Sequence, residues 1–139
     1  MLVRPWDAGK GEVQMLYAIL CYHDEAVVNS WTQEQDDAVI AKRMVVTKKL
    51  AAQGKLGPVA RLMPTTAATT IRSAREQLVI DGPFAETKEQ LLGFYIVDCA
   101  TLEEAIDAAG QIKRDEEGGA FEIRPLRYFD PGANPKGLS

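Results

Sequence analysis

Two stretches of this sequence are apolar on both faces of an extended chain, and they constrain the fold more than any other feature. They are residues 15–22 and residues 91–98. A strand with one face in water alternates polar and apolar side chains, so a continuous apolar run predicts a strand covered on both sides. We therefore expect both runs to lie at the centre of one sheet.

Two segments carry helix signals. Ser30 and Thr32 are candidate N-caps for a helix over about residues 33–53, which Gly54 would end. The apolar stripe of this helix is Val39, Ile40, Met44, Val46, Thr47 and Leu50. Thr101 and Glu104 form a capping box for a second helix over about residues 102–112. Its predicted buried face is Leu102, Ala105, Ile106, Ala109 and Ile112.

The remaining runs complete a recognisable element order. A strand is predicted over residues 55–62, a hairpin joins residues 69–73 to 78–80 around a turn at 75–76, and a last strand covers residues 121–128. Pro125 marks the last one as an edge strand. The order β-α-β, hairpin, β-α-β is typical of the ferredoxin-like α+β fold, an antiparallel sheet with two helices on one face. The other face would expose apolar side chains, so a homodimer that buries sheet against sheet is expected.

Composition fits a single domain. The chain has 139 residues, 46% of them apolar and 26% charged. Residues 1–14 and 130–139 are punctuated by Gly and Pro and are interpreted as flexible tails around a domain over residues 15–129. No signal-peptide pattern and no apolar run of about 20 residues occurs, so we expect a cytoplasmic protein without membrane contact. The net charge of −4 argues against a nucleic-acid partner.

Local clusters of basic residues and cysteines have plain structural interpretations. Lys42, Arg43, Lys48 and Lys49 are interpreted as the solvated side of the first helix. Cys21 and Cys99 are expected to be buried free thiols, with one disulfide between them as the alternative.

The loop at residues 81–89 reads Asp-Gly-Pro-Phe-Ala-Glu-Thr-Lys-Glu and holds several chemically useful groups between two strands. Gly82 can supply an unusual φ and Pro83 fixes the next one, so a tight turn is predicted. We expect Asp81 to accept hydrogen bonds from backbone N–H groups, and Phe84 to anchor the loop in the core.

Several short motifs, in order, resemble one known family. Besides residues 81–89 they are Met-Leu-Tyr at 15–17, Tyr-His-Asp-Glu at 22–25, Thr-Ile-Arg at 70–72, Gly-Phe-Tyr at 93–95 and Glu-Ile-Arg-Pro at 122–125. Over about residues 15–129 the chain resembles the DGPF-domain proteins of the YCII-related family. The resemblance implies ferredoxin-like homodimers of the dimeric α/β-barrel type. It also implies a bacterial, cytoplasmic protein, of a kind often encoded beside extracytoplasmic-function sigma factors. A His–Asp pair has been proposed as catalytic in some relatives, which here would be His23 and Asp24.

The candidate site residues come from these motifs. His23 is the only histidine, and an unperturbed imidazole pKa of about 6.5 suits proton transfer near neutral pH. Asp24 and Asp81 are candidate catalytic acids, although both also fit structural roles at a helix start and a turn. Arg72 and Lys88 are candidates for binding an anion, with Tyr22 and Phe84 beside them. Metal-ligand spacings and cofactor motifs are missing, so we expect neither a metal nor a cofactor.

These residues leave two classes of function open. The first is a homodimer that binds a small anionic ligand in a cleft near the Asp81 loop. The alternative is an enzyme that performs lyase-like or isomerase-like acid–base chemistry with His23 and either Asp24 or Asp81. A regulatory protein associated with a sigma factor is a further alternative, which the family resemblance implies.

Overall fold

The computed structural model describes residues 2–3, 13–73 and 76–133. In chain order the elements are β1 (Leu2–Val3), β2 (Val13–His23), α1 (Glu25–Asn29), α2 (Gln33–Ala52), β3 (Leu56–Arg61), β4 (Thr69–Arg72), β5 (Leu78–Asp81), β6 (Gln90–Cys99), α3 (Leu102–Lys113) and β7 (Ala120–Pro125). The predicted tails over residues 1–14 and 130–139 lie largely outside the described residues. Of the tail residues that are described, Leu2–Val3 pairs with Val13 and Gln14.

The main sheet is antiparallel and has the strand order β7-β2-β6-β3, with β1 on the same edge of β2 as β7. The two strands that were predicted from their apolar runs, β2 and β6, are the central pair, so that prediction is confirmed. Pro125 lies in β7, which pairs only with β2 among the described strands, as expected for an edge position. The mixed α+β architecture is compatible with the ferredoxin-like fold.

The core lies between the helices and one face of β2 and β6. Alternate side chains of the two strands point to this face, and they pack with Leu50 of α2 and with α3; they are Tyr17, Ile19, Cys21, Tyr95, Val97 and Cys99. On the opposite face, Leu16, Ala18 and Ile96 are buried within the single chain as well. The sequence argument for a sheet-to-sheet dimer assumed that this face was open. Burial of these three side chains therefore weakens that argument.

Helix α3 has nearly the predicted bounds, but its buried face differs in part from the predicted one. Thr101 accepts a hydrogen bond from the backbone of Glu104 and caps the helix. Leu102 and Ile106 are exposed, and Ala108 is buried in their place. The fully buried positions follow an i, i+3, i+4, i+7 stripe, which consists mostly of alanine; they are Ala105, Ala108, Ala109 and Ile112. Small side chains let the helix approach the sheet closely, so the bulkier residues are left at the flanks.

Helix α2 has the predicted cap but little of the predicted burial. Thr32 and Gln35 form a full capping box at its start. Within its 20 residues only Leu50, near the C-terminal end, is fully buried. Val46 packs against the core, and Val39, Ile40, Met44 and Thr47 line a cavity between the helix and the sheet.

The hairpin β4–β5 is confirmed and stands apart from the main sheet. Thr69–Arg72 pairs with Leu78–Asp81 in antiparallel register, and the predicted turn at residues 75–76 overlaps the undescribed residues 74–75. Gly82 has a φ of +106°, as the turn prediction required. Phe84 is 72% exposed, so its prediction as a core anchor is wrong. The loop is instead fixed through backbone groups, because Gly82 donates to Ala68 and its carbonyl accepts from Thr70.

Cys21 and Cys99 are buried free thiols, as expected. They lie near opposite ends of the β2–β6 ladder, where Cys21 pairs with Gly93 and Cys99 with Met15. This separation is too large for a disulfide. Over the described part of the chain, none of the helices has the length and apolar character needed to cross a bilayer.

Candidate functional site

A cavity of about 350 Å³ lies between α2 and the helix-side face of the sheet. Its walls come from β2, β3 and β6, from the apolar stripe of α2, and from the turns around Trp31 and residues 116–119. Most of the lining is apolar; its apolar members include Val39, Ile40, Met44, Leu56 and Phe121. Ligand pockets in proteins typically have volumes of about 300–1,000 Å³ and such a lining.

His23 lies in the cavity wall at the end of β2. Its Nε2 is 3.2 Å from the carbonyl oxygen of Glu117, and its ring meets the ring of Trp31 edge-on at 6.1 Å between centroids. A carbonyl can only accept a hydrogen bond, so Nε2 must carry the proton. In the neutral imidazole, Nδ1 is then an acceptor. Nδ1 is buried and has no partner among the described residues.

Arg43 supplies the second polar region of the cavity wall. Its Nε and Nη2 donate to the two carboxylate oxygens of Glu116 at 2.9 and 2.6 Å, and Nη1 lies 3.4 Å from the hydroxyl of Tyr95. Its guanidinium also stacks 5.2 Å from the ring centre of Phe121. Burial opposes the charge of Arg43, but the hydrogen bonds with Glu116 outweigh it, so the pKa of Arg43 is raised.

Glu116 accepts hydrogen bonds from two cationic side chains. Besides Arg43, Lys42 donates to Glu116 at 2.8 Å and also to the carbonyl of Arg114. Burial alone would raise the pKa of Glu116, but the hydrogen bonds from Arg43 and Lys42 lower it below its ordinary value. The loop after α3 is thereby fixed to α2.

A second ion pair joins α2 to β3. The carboxylate of Asp36 accepts from both terminal nitrogens of Arg61, at 2.6 and 3.1 Å. The hydrogen bond from Arg61 is the main cause of the lowered pKa of Asp36. Helix α2 is therefore held above the cavity by charged contacts on two sides.

The cavity includes only part of the site that was predicted from the sequence. Tyr22 and His23 line it, whereas the other five candidates are not among its lining residues: Asp24, Arg72, Asp81, Phe84 and Lys88. Asp24 caps α1 by accepting from the backbone of Ala26 at 2.9 Å. No hydrogen bond joins it to His23.

The candidates near the hairpin occupy exposed positions. Arg72 donates to the backbone carbonyl of Phe84 at 2.7 Å. No described residue donates a hydrogen bond to the side chain of Asp81, so the predicted pinning role of this carboxylate is wrong. Lys88 is exposed and makes no hydrogen bond or ion pair with any described residue.

Sequence reasoning missed Arg43 and its partners. Arg43 was interpreted as part of a solvated basic cluster, yet only 24% of its side chain is exposed. A signal was present, because Arg43 follows Val39 and Ile40 by four and three residues and so lies on the apolar stripe of the helix. Glu116 and Tyr95 carried no comparable signal, since their meeting with Arg43 depends on tertiary contacts.

The thiol of Cys21 also lies in the cavity wall, but its raised pKa makes it unreactive. Burial raises its pKa to about 11, and the nearby Arg43 only partly offsets this effect. A thiol in this state is a poor nucleophile at neutral pH. Among the described residues, no group of three or more His, Cys, Asp or Glu side chains is arranged to hold a metal ion.

Comparison with known proteins agrees with the fold. The model of the YCII-related domain matches residues 15–130, which is most of the chain. The chain belongs to the YCII-related family. This YCII-related protein is 54% identical over 123 residues to an uncharacterized protein of Rhizobium meliloti (strain 1021). The aligned region covers 87% of this chain and 99% of that relative. The name of the relative carries no activity, so function has to be argued from the site.

Proposed function

We propose that this YCII-related protein binds a small, mostly apolar molecule that carries an anionic group, in the cavity between α2 and the sheet. The observation that carries this proposal is a largely apolar cavity with polar groups concentrated at His23 and Arg43. Apolar walls supply most of the binding free energy of such a molecule, and a few polar groups fix its orientation.

The charges of the lining favour an anion. Three cations, Arg43, Arg61 and Lys113, stand against two anions, Asp36 and Glu116, which leaves an excess of one positive charge when His23 is neutral. Arg43 donates to Glu116 through Nε and Nη2 and to Tyr95 through Nη1, so one N–H bond on each terminal nitrogen is left for a ligand. A planar guanidinium suits the two oxygens of a carboxylate.

Filling the cavity tests this proposal. Met44 lines the cavity, and the adjacent Val45 is 72% exposed and lies outside its lining. In a thermal-shift screen against small organic acids, we expect compounds that stabilise the wild type and Val45→Trp but not Met44→Trp. A ligand at a hundred times its Kd stabilises the folded state by about 2.7 kcal/mol. Equal shifts for Met44→Trp and Val45→Trp would place the binding elsewhere and contradict the proposal.

A pair of compounds tests whether the bound molecule has to be anionic. Benzoate and benzyl alcohol carry the same benzene ring, but only benzoate is charged. Arg43→Met should abolish any preference of the protein for benzoate, while it keeps most of the apolar volume. A preference that survives this substitution would exclude Arg43 as the anion-binding group.

A second candidate function is acid–base catalysis by His23. The observation that favours it is the buried acceptor Nδ1, which the bond between Nε2 and Glu117 leaves unprotonated in the neutral ring. An acceptor in this state can take a proton from a bound molecule that presents an O–H or C–H acid. For a compound found in the screen, His23→Gln should remove turnover and retain binding, and full turnover in this variant would exclude the catalytic role.

The proposals that were based on the Asp81 loop remain predictions. A contribution of Asp24 or Asp81 to chemistry is tested by Asp24→Asn and Asp81→Asn in the same assay, and an anion site at Arg72 and Lys88 by their replacement with Met. The homodimer rests on the argument from the uncovered sheet face and on the family resemblance, and the association with a sigma factor rests on the resemblance alone. Co-purification with an extracytoplasmic-function sigma factor would test the latter.

A further inference from the structure

We infer that the molecule bound in the cavity is an alkanoic acid, whose carboxylate lies at the inner end of the cavity and whose alkyl chain leads out between α2 and β3. This inference rests on the proposed function, because it names the class and the orientation of the molecule bound at the same site. The observation that carries it is a separation along the cavity lining. Exposed aliphatic side chains lie on one side, and the excess positive charge lies on the other.

The cavity opens to solvent through a slot between α2 and β3. Apolar side chains at this slot line the cavity and are nevertheless exposed; they are Ile40 (37%), Met44 (46%) and Val59 (49%). Val59 pairs with Tyr95, which belongs to the helix-side core, so Val59 lies on the face of the sheet that the helices cover. Because an apolar side chain on the covered face is half exposed, solvent reaches the cavity at this point.

The slot is elongated and closed at both ends. At one end, the carboxylate of Asp36 on α2 accepts two hydrogen bonds from Arg61 on β3. At the other end, the chain turns from α2 into β3, where the backbone of Lys55 donates to the carbonyl of Leu50 at 2.9 Å. From Asp36 to Met44 the helix advances about 12 Å, at 1.5 Å per residue. The opening therefore has the shape of a narrow groove, which suits an extended chain.

The inner end of the cavity lies over the opposite edge of the sheet. Arg43 and Lys113 lie 5.2 and 6.0 Å from the ring centre of Phe121, which belongs to β7. The strand order β7-β2-β6-β3 puts three strand spacings between this ring and the slot. With about 4.8 Å for each spacing, the two ends of the cavity are roughly 14 Å apart. A molecule that reaches both ends is long rather than compact.

Charge decides which end of the molecule points inward. At the slot, Asp36 and Arg61 cancel each other in a two-bonded ion pair. At the inner end, Arg43 and Lys113 stand against Glu116, so the excess positive charge of the lining is located there. A cleft that carries an excess of one sign of charge attracts the opposite sign. The carboxylate is therefore expected beside Arg43, and the apolar part of the molecule is left for the slot.

The side chains at the slot favour an alkyl chain over an aromatic group. They are aliphatic: Ile40, Met44, Leu56 and Val59. The ring of Phe121, at the inner end, already has Arg43 and Lys113 against it. Flexible and branched aliphatic side chains bind a hydrocarbon chain through its buried area, and each CH₂ that becomes buried lowers Kd about fourfold.

A series of chain lengths tests the class of molecule. For the full chain, Kd values of hexanoate, octanoate and decanoate from titration calorimetry should fall by about fourfold for each added CH₂. Arg43→Met should raise all three Kd values by a similar factor, whereas Ile40→Ser should reduce the gain for each CH₂. Val45→Ser is the matched control, because Val45 is exposed on the same helix and lies outside the cavity lining. Kd values that do not depend on chain length, or equal gains in Ile40→Ser and Val45→Ser, would overturn the inference.

Two labelled acids test the orientation in the wild-type protein. Octanoate with a dansyl group on its last carbon should bind about as tightly as octanoate, because the label lies outside the slot. With the dansyl group on the carbon next to the carboxylate, Kd should rise about tenfold or more, because the label overfills the inner end. The reverse order would overturn this inference alone. Binding of benzoate without binding of any alkanoate would do the same, whereas failure of every acid to bind would contradict the proposed function as well.

Discussion

The ring of His23 is packed closely against Gly118 and Gly119, and Gly119 is the tighter of the two contacts. Gly119 has a φ of +70°, and a Cβ there would lie 2.6 Å from the carbonyl oxygen of Tyr22 and 2.8 Å from Cδ2 of His23. Gly119→Ala should therefore displace the ring and lower the free energy of unfolding by about 1–3 kcal/mol. Urea denaturation measures this loss, and NMR of the single imidazole reports the displacement.

Gly132→Ala is the matched control for that substitution. Gly132 has a φ of +68°, and nothing lies within 4 Å of a Cβ there. It carries the same backbone strain, roughly 1–2 kcal/mol, without the collision. An equal loss of stability in both variants, with an unchanged imidazole signal, would show that packing of Gly119 does not position His23.

Individual residues were the hardest features to predict from sequence. The apolar character of Phe84 suggested burial, but its loop follows a hairpin that the main sheet does not cover. For Arg43 the error was the reverse: its charge suggested a solvent-exposed side chain, whereas its position on α2 places it in the cavity wall. In both cases the residue type suggested one degree of burial, and the packing of elements distant in sequence produced the opposite one.

At the scale of elements, Glu116 links α2 to the loop after α3 and should make the stability of the protein pH-dependent. The pKa of Glu116 is lowered from 4.5 in the folded state, so its ion pairs stabilise the fold above that pH and are lost as the pH falls through the lower folded value. We expect Glu116→Gln to cost about 1–3 kcal/mol at pH 7, and much less near pH 3.

Glu122→Gln separates this effect from an ordinary surface charge. Glu122 pairs with Arg124 at 3.1 Å, but both side chains are largely exposed. Such pairs contribute about 0–1 kcal/mol, so little change is expected at either pH. If Glu116→Gln lowers the free energy of unfolding by the same amount at pH 7 and pH 3, the proposed ionic role is contradicted.

Elements were predicted better than residues because local signals determine them. The capping residues Thr32 and Thr101 begin the two long helices, and continuous apolar runs define β2 and β6. The short helix α1 was missed, since five residues offer too little periodicity for detection. The buried face of α3 was predicted correctly at Ala105, Ala109 and Ile112 but not at Leu102 and Ile106, because close packing of small side chains on the sheet is not visible in the helix sequence.

At the scale of the whole molecule, the two thiols report on cooperative unfolding. Burial raises the pKa of both Cys21 and Cys99 to about 11, and they lie near opposite ends of the β2–β6 ladder. In the folded protein both should react very slowly with a thiol reagent such as DTNB at pH 8. As urea is added, their rates should rise together, because only opening of the central strands exposes them.

A thiol on the hairpin provides the contrast. Val79 is 59% exposed, so Val79→Cys should react at a rate near that of an exposed thiol while Cys21 and Cys99 stay protected. Fast labelling of Cys99 alone in native buffer would show that the sheet opens in parts, against the expectation of a single cooperative core.

The sparse burial of α2 has a consequence for how relatives of this protein can diverge. Leu50 and the partly buried Val46 pack that helix against the core, so substitutions along its cavity-facing stripe, at Val39, Ile40 or Met44, change the shape of the cavity at little cost to folding. If the cavity binds a ligand as proposed, substitutions on this one helix can change which ligand fits while the fold is kept. The same stripe is the natural target for a combinatorial library that seeks new specificities on this scaffold.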